Sequence, residues 1–228
     1  MNIHIIGTSH IAKQSAQEIK QFILEEKPQL VALELDAQRA YALLHEQKNK
    51  ISLAAMGQIG LKGYLFAKIG QIVQQKLGKM VGMTPGSEMK TALKLAGEQK
   101  IEIALIDQPI QITLKRFSKS LTWKEKGRFL LDLIGGIFNS KKQMKELGVE
   151  KWDLQKVPSK EVIAKLVQEM KKKYPSIYRT LVEERNKYMV KKLVQILRQN
   201  PEQKILVVVG AGHEEGMKEL LAKVETLK

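Results

Sequence analysis

Short apolar runs alternate along this chain with longer stretches in which apolar positions recur every three or four residues. Four runs, Asn2 to Ile6, Leu30 to Leu35, Ile101 to Ile106 and Ile205 to Val209, are rich in Val, Ile and Leu and lack polar alternation. That pattern predicts strands covered on both faces, as in a parallel sheet. Between the first two, Ala12, Ala16, Ile19 and Ile23 keep a helical spacing, closed by Glu26, Lys27 and Pro28. The unit reads as strand, helix, strand. After the fourth run, Met217, Leu220, Leu221 and Val224 share one helical side, and Glu214 and Glu215 stand in the first turn, where carboxylates complement the helix dipole.

The rest of the pattern is helical. Residues 51–86 carry seven glycines among apolar residues and lysines, contain no Asp or Glu, and end at a Thr-Pro-Gly break before "SEMKTALKLAGEQ". So much glycine weakens an isolated helix by about 1 kcal/mol per residue, so a hairpin packed closely against another surface is expected. Helical signals continue from Thr113 to Asn200, with breaks at Gly135 and Gly136, at Pro158 and at Pro175. The expectation is a single α/β domain over residues 1–228, a small mostly parallel sheet of about four core strands with helical insertions at about 51–86 and 114–175.

Composition narrows the chemistry. The chain has no cysteine, which excludes disulfides, thiolate zinc sites and a cysteine nucleophile. No apolar run approaches the length of a membrane span, and the start of the chain lacks a leader pattern, so a cytoplasmic protein is expected. The formal net charge is +15, and Lys115 to Lys173 alone holds 16 Lys/Arg against 7 Asp/Glu. A solvated lysine-rich surface is the first reading and peripheral contact with an anionic membrane the second. Few aromatics accompany the lysines and no helix-turn-helix, zinc-finger or RRM signature occurs, so nucleic acid is not an expected partner.

In open α/β sheets, ligands bind beyond the carboxyl ends of the strands. Each predicted strand delivers a polar residue there: His10, then Glu34 and Asp36, then Asp107, then His213. Gly7, Gly210 and Gly212 precede the two histidines, where glycine lets the backbone turn sharply and approach a ligand, and the amides of the next helix favour an anion. Two imidazoles and a carboxylate are a common ligand set for a catalytic divalent ion, which makes His10, Glu34 and His213 candidates for Mn, Co or Zn. Glu34 lies in a run so apolar that its charge demands a partner or a cation. Asp36 reads equally as a cap of the following helix. Arg39, Arg116, Glu184 and Arg185 are further candidates. Arg185 continues the stripe Leu181, Val182, Met189, Leu193 and Ile196, where a buried structural ion pair explains it as well as an active site does. His4 and His45 have no companion motif and are expected to be structural.

Taken in order, "GTSHIAKQSAQEI", "VALELDAQR", "GSEMKTALKLAGEQKIEIALIDQPIQITLKRF", "VEERNKYM" and "VVVGAGHEEGM" resemble the TraB domain family, which includes the TraB and PrgY pheromone-shutdown proteins and, more distantly, GumN and the Tiki proteases. The resemblance covers nearly the whole chain. It implies a fold related to the erythromycin-esterase and ChaN-like proteins, with paired Gly-x-x-His motifs at the site. In Tiki-type members these motifs are associated with divalent-metal peptidase activity. By motif they fall here on Gly7 and His10 and on Gly210 and His213, joined by Glu34, Arg39, Arg116 and the Glu184, Arg185 pair. Where many members read Asp-Arg after the third strand, this chain has Asp107 and Gln108, one cation fewer.

Two functions follow. The first is a metal-dependent hydrolase of peptides: His10, Glu34 and His213 hold the ion, Arg116 or Arg185 steadies the oxyanion or a substrate carboxylate, and Asp107 or Glu184 serves as general base. The second is a non-catalytic regulator that sequesters a peptide or another small ligand, with a homodimer compatible with the glycine-rich insertion.

Overall fold

All four apolar runs form strands, in a computed structural model that describes residues 2–8, 13–45, 86–120 and 160–226, with isolated positions between them. The strands are β1 (Ile3–Thr8), β2 (Leu30–Leu33), β3 (Glu102–Leu105) and β4 (Ile205–Gly210). The helices are α1 (Lys13–Glu26), α2 (Ala37–Leu44), α3 (Ser87–Glu98), α4 (Ile110–Ser120), α5 (Lys160–Lys173), α6 (Pro175–Tyr178), α7 (Glu184–Gln199) and α8 (Ala211–Glu225). The sheet is wholly parallel in the order β1-β4-β2-β3. The last strand in sequence therefore lies between the first two, and β4 is buried along its full length.

Alternation along the strands divides the core in two. Ile6, Val31, Leu33, Leu35, Leu206 and Val208 face the layer built from α1 and α3. Leu30, Ala32, Ile205, Val207 and Val209 face the layer built from α7 and α8. Helices on both faces account for β2 and β4, which are buried throughout, whereas the edge strands β1 and β3 carry the exposed His4 and Glu102. Glu34 continues the second series, so it is aimed at α7 and α8.

Three details differ from the sequence reading. Strand β1 runs on to Thr8, because Gly7 and Thr8 pair with Val209 and Gly210. Gly7 is thus a strand residue and not a turn; its lack of a side chain makes room for the Glu214 carboxylate and the Ala211 backbone in the first turn of α8. On α1 the fully buried positions are Ser15, Ile19 and Ile23, with Ala16 only half-buried and Ala12 outside the described residues.

The 51–86 insertion also lies outside the described residues except at Gly57, Gly60, Leu61, Tyr64, Lys68 and Gly86. Of the second insertion, α4, α5 and α6 are described, with Thr122, Lys124, Glu125 and Arg128. No helix among the described residues is long and apolar enough to cross a membrane. Pro175 opens α6 at the first helical position, where its missing N–H costs nothing. The chain stays helical through a π-helical turn at Arg179–Glu183 before α7 begins, and such a turn rotates the residues that follow it.

Candidate functional site

At the carboxyl edge of the sheet, backbone bonds carry the strands slightly beyond their formal ends. Glu34 donates its N–H to Val208 at 3.0 Å, and Asp107 donates to Leu35 at 3.2 Å. Both carboxylates are thereby fixed in a buried layer, where an ion must be paired.

The pairing group is Arg185, the second residue of α7. Its Nε donates to Asp107 Oδ1 at 3.1 Å and its Nη2 to Asp107 Oδ2 at 2.7 Å, a bidentate fork. Nη2 also donates to Glu34 Oε1. Nη1 donates to the Leu181 carbonyl at 3.1 Å and meets His213 Nε2 at 3.0 Å. A guanidinium has five N–H groups, and all five have an acceptor. Burial alone would lower the Arg185 pKa; the Glu34 and Asp107 carboxylates outweigh it and raise the group above its ordinary value.

The second arginine on the cluster is Arg39, whose Nη1 donates to Asp107 Oδ2 at 3.0 Å while about a third of its side chain stays exposed. Two carboxylates are thus matched by two guanidinium groups. Glu34 Oε2 accepts from the Gly210 N–H at 2.6 Å, which ties β2 to the start of α8. Asp36 caps α2, accepting from the Arg39 N–H at 2.8 Å, and its other oxygen accepts from the Ile110 N–H at 3.0 Å, so one carboxylate starts two helices.

His213 lies in the first turn of α8, buried, with Nε2 3.5 Å from Glu34 Oε1. An arginine can only donate, so Nε2 is the acceptor and the proton belongs on Nδ1, an assignment made from the hydrogen-bond pattern. Nδ1 meets Asn186 Oδ1 at 2.6 Å.

A family model described as TraB/PrgY/gumN matches residues 1–226. The chain belongs to that family. An uncharacterized protein of Methanocaldococcus jannaschii is 35% identical over 227 residues, covering 98% of this chain and 54% of its own length. A TraB domain-containing protein of Homo sapiens is 28% identical over 207 residues, covering 86% of this chain and 53% of its own. This chain therefore spans about half the length of these TraB relatives. Among solved structures, an erythromycin esterase mutant in its open conformation overlaps 92% of this chain and 60% of its own at 17% identity, with a TM-score of 0.33.

Of the residues singled out in the TraB motifs, Glu34, Asp107, Arg185, His213, Arg39 and Gly210 come together. His10 lies outside the described residues, although its strand ends beside β4, Thr8 pairing with Gly210. Arg116 and Glu184 pair with each other at 3.0 Å, nearer the surface, one residue along the chain from Arg185. Gly212 has room for a side chain, the nearest atom to a Cβ there being 4.0 Å away. Gln108, which follows Asp107, is buried and donates to Thr113 Oγ1 at 2.7 Å. Asn186 was missed by sequence reasoning, because an asparagine on a helix carries no signal of its own. His4 stacks on Phe22 and His45 tilts against Tyr41, as structural histidines do.

Among the described residues no group of three His, Asp or Glu side chains gathers to hold an ion. Glu34 and His213 offer two acceptors at a spacing one ion could bridge, but both face the Arg185 guanidinium, and the carboxylate charge is already matched. The third residue of the expected ligand set, His10, lies outside the described residues.

Proposed function

We propose that this TraB-family chain is a hydrolase of peptides whose reacting centre is the Glu34, Arg185 and His213 cluster. The observation that supports the reading is the buried imidazole of His213, with Nδ1 against Asn186 Oδ1 and Nε2 turned toward Arg185 and Glu34, a pattern that assigns the proton to Nδ1. A substrate carbonyl entering between Arg185 Nη1 and His213 Nε2 would take that N–H as its oxyanion donor. The vacated Nε2 would then accept a proton from the attacking water, which adds to the carbonyl carbon. The C–N bond breaks as the imidazolium returns its proton to the leaving amine. Asp107 and Glu34 hold the Nε and Nη2 edge of the guanidinium, so the contact that gives way to substrate is the one between Nη1 and His213 Nε2. Arg39 and Arg116, both partly exposed, are the cations available to a substrate carboxylate.

The test is mass spectrometry of a mixed peptide library incubated with the chain, beside His213→Ala. New termini that depend on His213 are expected. Intact peptides throughout would overturn the reading and favour its rival, a non-catalytic peptide-binding regulator, whose supporting observation is that the cluster is already satisfied internally. A role for Mn, Co or Zn on His10, Glu34 and His213 requires Arg185 to yield two acceptors. Stoichiometric metal in untagged protein, lost in His213→Ala, is the result that would establish it.

A further inference from the structure

Arg185 and Asn186 are consecutive on α7, and they hold the His213 ring by its two nitrogens, Arg185 at Nε2 and Asn186 at Nδ1. The two contacts differ in what the reaction asks of them. In the hydrolysis proposed above, on which this inference rests, Arg185 must leave Nε2 so that substrate can enter. The Asn186 contact lies on the far side of the ring and survives that change.

Asn186 is itself held in place. It is buried, and its Nδ2 lies against α8 at Gly216, one turn after His213; a Cβ at position 216 would stand 2.5 Å from Nδ2 and 3.6 Å from Cγ. With its nitrogen turned to the bare backbone of Gly216, the carboxamide turns its oxygen to His213. A glycine costs helix stability, by about 1 kcal/mol relative to alanine, so its presence in the middle of α8 needs a steric reason. The close approach of Asn186 supplies one.

We propose that Asn186 is the positioning residue of His213, and that Gly216 is the gap that admits it. Asn186 keeps the proton on Nδ1 and the lone pair on Nε2 during the interval in which Arg185 lets go. It acts through the ring and not on the reacting atoms.

The test is two-dimensional NMR of 15N-histidine-labelled protein together with peptide-cleavage kinetics. In the parent, the His213 Nδ1–H exchanges slowly. Asn186→Ala removes the acceptor and speeds that exchange by about tenfold, the worth of one hydrogen bond. Gly216→Ala, which contacts neither the ring nor Arg185, does the same by displacing the carboxamide. Asn186→Asp keeps an acceptor and restores slow exchange. In the cleavage assay Asn186→Ala lowers kcat by about 100-fold with little change in KM, as misplacement of a reacting group does. A ring proton that exchanges as slowly in folded Asn186→Ala or Gly216→Ala as in the parent overturns the proposal. Absence of any cleavage by the parent overturns the hydrolase reading instead and leaves the NMR result to decide this one.

Discussion

At the scale of single residues, Arg185 governs the site because two carboxylates and an imidazole depend on it. Replacing it with methionine keeps most of its volume, leaves Asp107 with the Arg39 guanidinium and removes the guanidinium that pairs with Glu34. Arg185→Met is expected to lower the unfolding free energy by about 3–5 kcal/mol, the range for breaking a buried pair. Arg116→Ala, which breaks a half-exposed pair, is expected to cost less than about 1 kcal/mol. Urea unfolding of the two variants side by side checks the contrast. The demand for a partner was legible in the sequence, since an arginine in an apolar stripe cannot stay alone. Its partners were not, because Glu34 is 151 positions away and Asp107 78. Asn186 was illegible for another reason: its role exists only where α7 and α8 meet, and no local pattern reports that contact.

At the scale of elements, the strands were readable because burial writes itself as a short Val-, Ile- and Leu-rich run, continuous in the central β2 and β4 and interrupted by His4 and Glu102 in the edge strands. Their boundaries were less so. Gly7 and Thr8 look like turn residues until β4 arrives to pair with them. Helix ends offer a direct check. Lys27 after α1 and Lys100 after α3 both adopt positive φ, 43° and 55°, the left-handed region in which a side chain is strained. Lys27→Gly and Lys100→Gly are each expected to raise stability by about 0.5–1 kcal/mol, measured as a higher urea midpoint with an unchanged slope. The contrast between Gly7 and Gly212 tests the opposite case. Gly7→Ala presses on the Glu214 carboxylate and the α8 backbone and should cost about 1–3 kcal/mol, whereas Gly212→Ala makes only an ordinary contact, with Val167 at 4.0 Å, and should be near neutral on the same measurement.

At the scale of the whole molecule, polar ties join segments that are far apart in sequence. Glu125 accepts from the Ser176 N–H at 2.7 Å with one oxygen and from Thr122 with the other, fastening the start of α6 to a segment 51 residues earlier. Burial works to raise its pKa, but the bonds from Thr122 and Ser176 prevail and hold it below the ordinary glutamate value. A carboxyl so lowered binds protons less readily folded than unfolded. Its contribution is therefore complete above the ordinary value of about 4.3 and fades as pH falls through the lower, folded value. Stability measured from pH 6 to pH 3 should fall less steeply in Glu125→Gln than in the parent.

Strand order, unlike strand existence, left no trace in the pattern of residues, and it has a consequence for how the molecule comes into being. With β4 lying between β1 and β2, a nascent chain still lacking residues 205–210 has the β2–β3 pair, a lone β1 and a gap where the middle of the sheet belongs. Glu34 would wait there without Gly210 or His213. The charged centre can close only once residues 205–213 have joined it, so a segment remote in sequence from β1 and β2 is the keystone of the sheet's carboxyl edge.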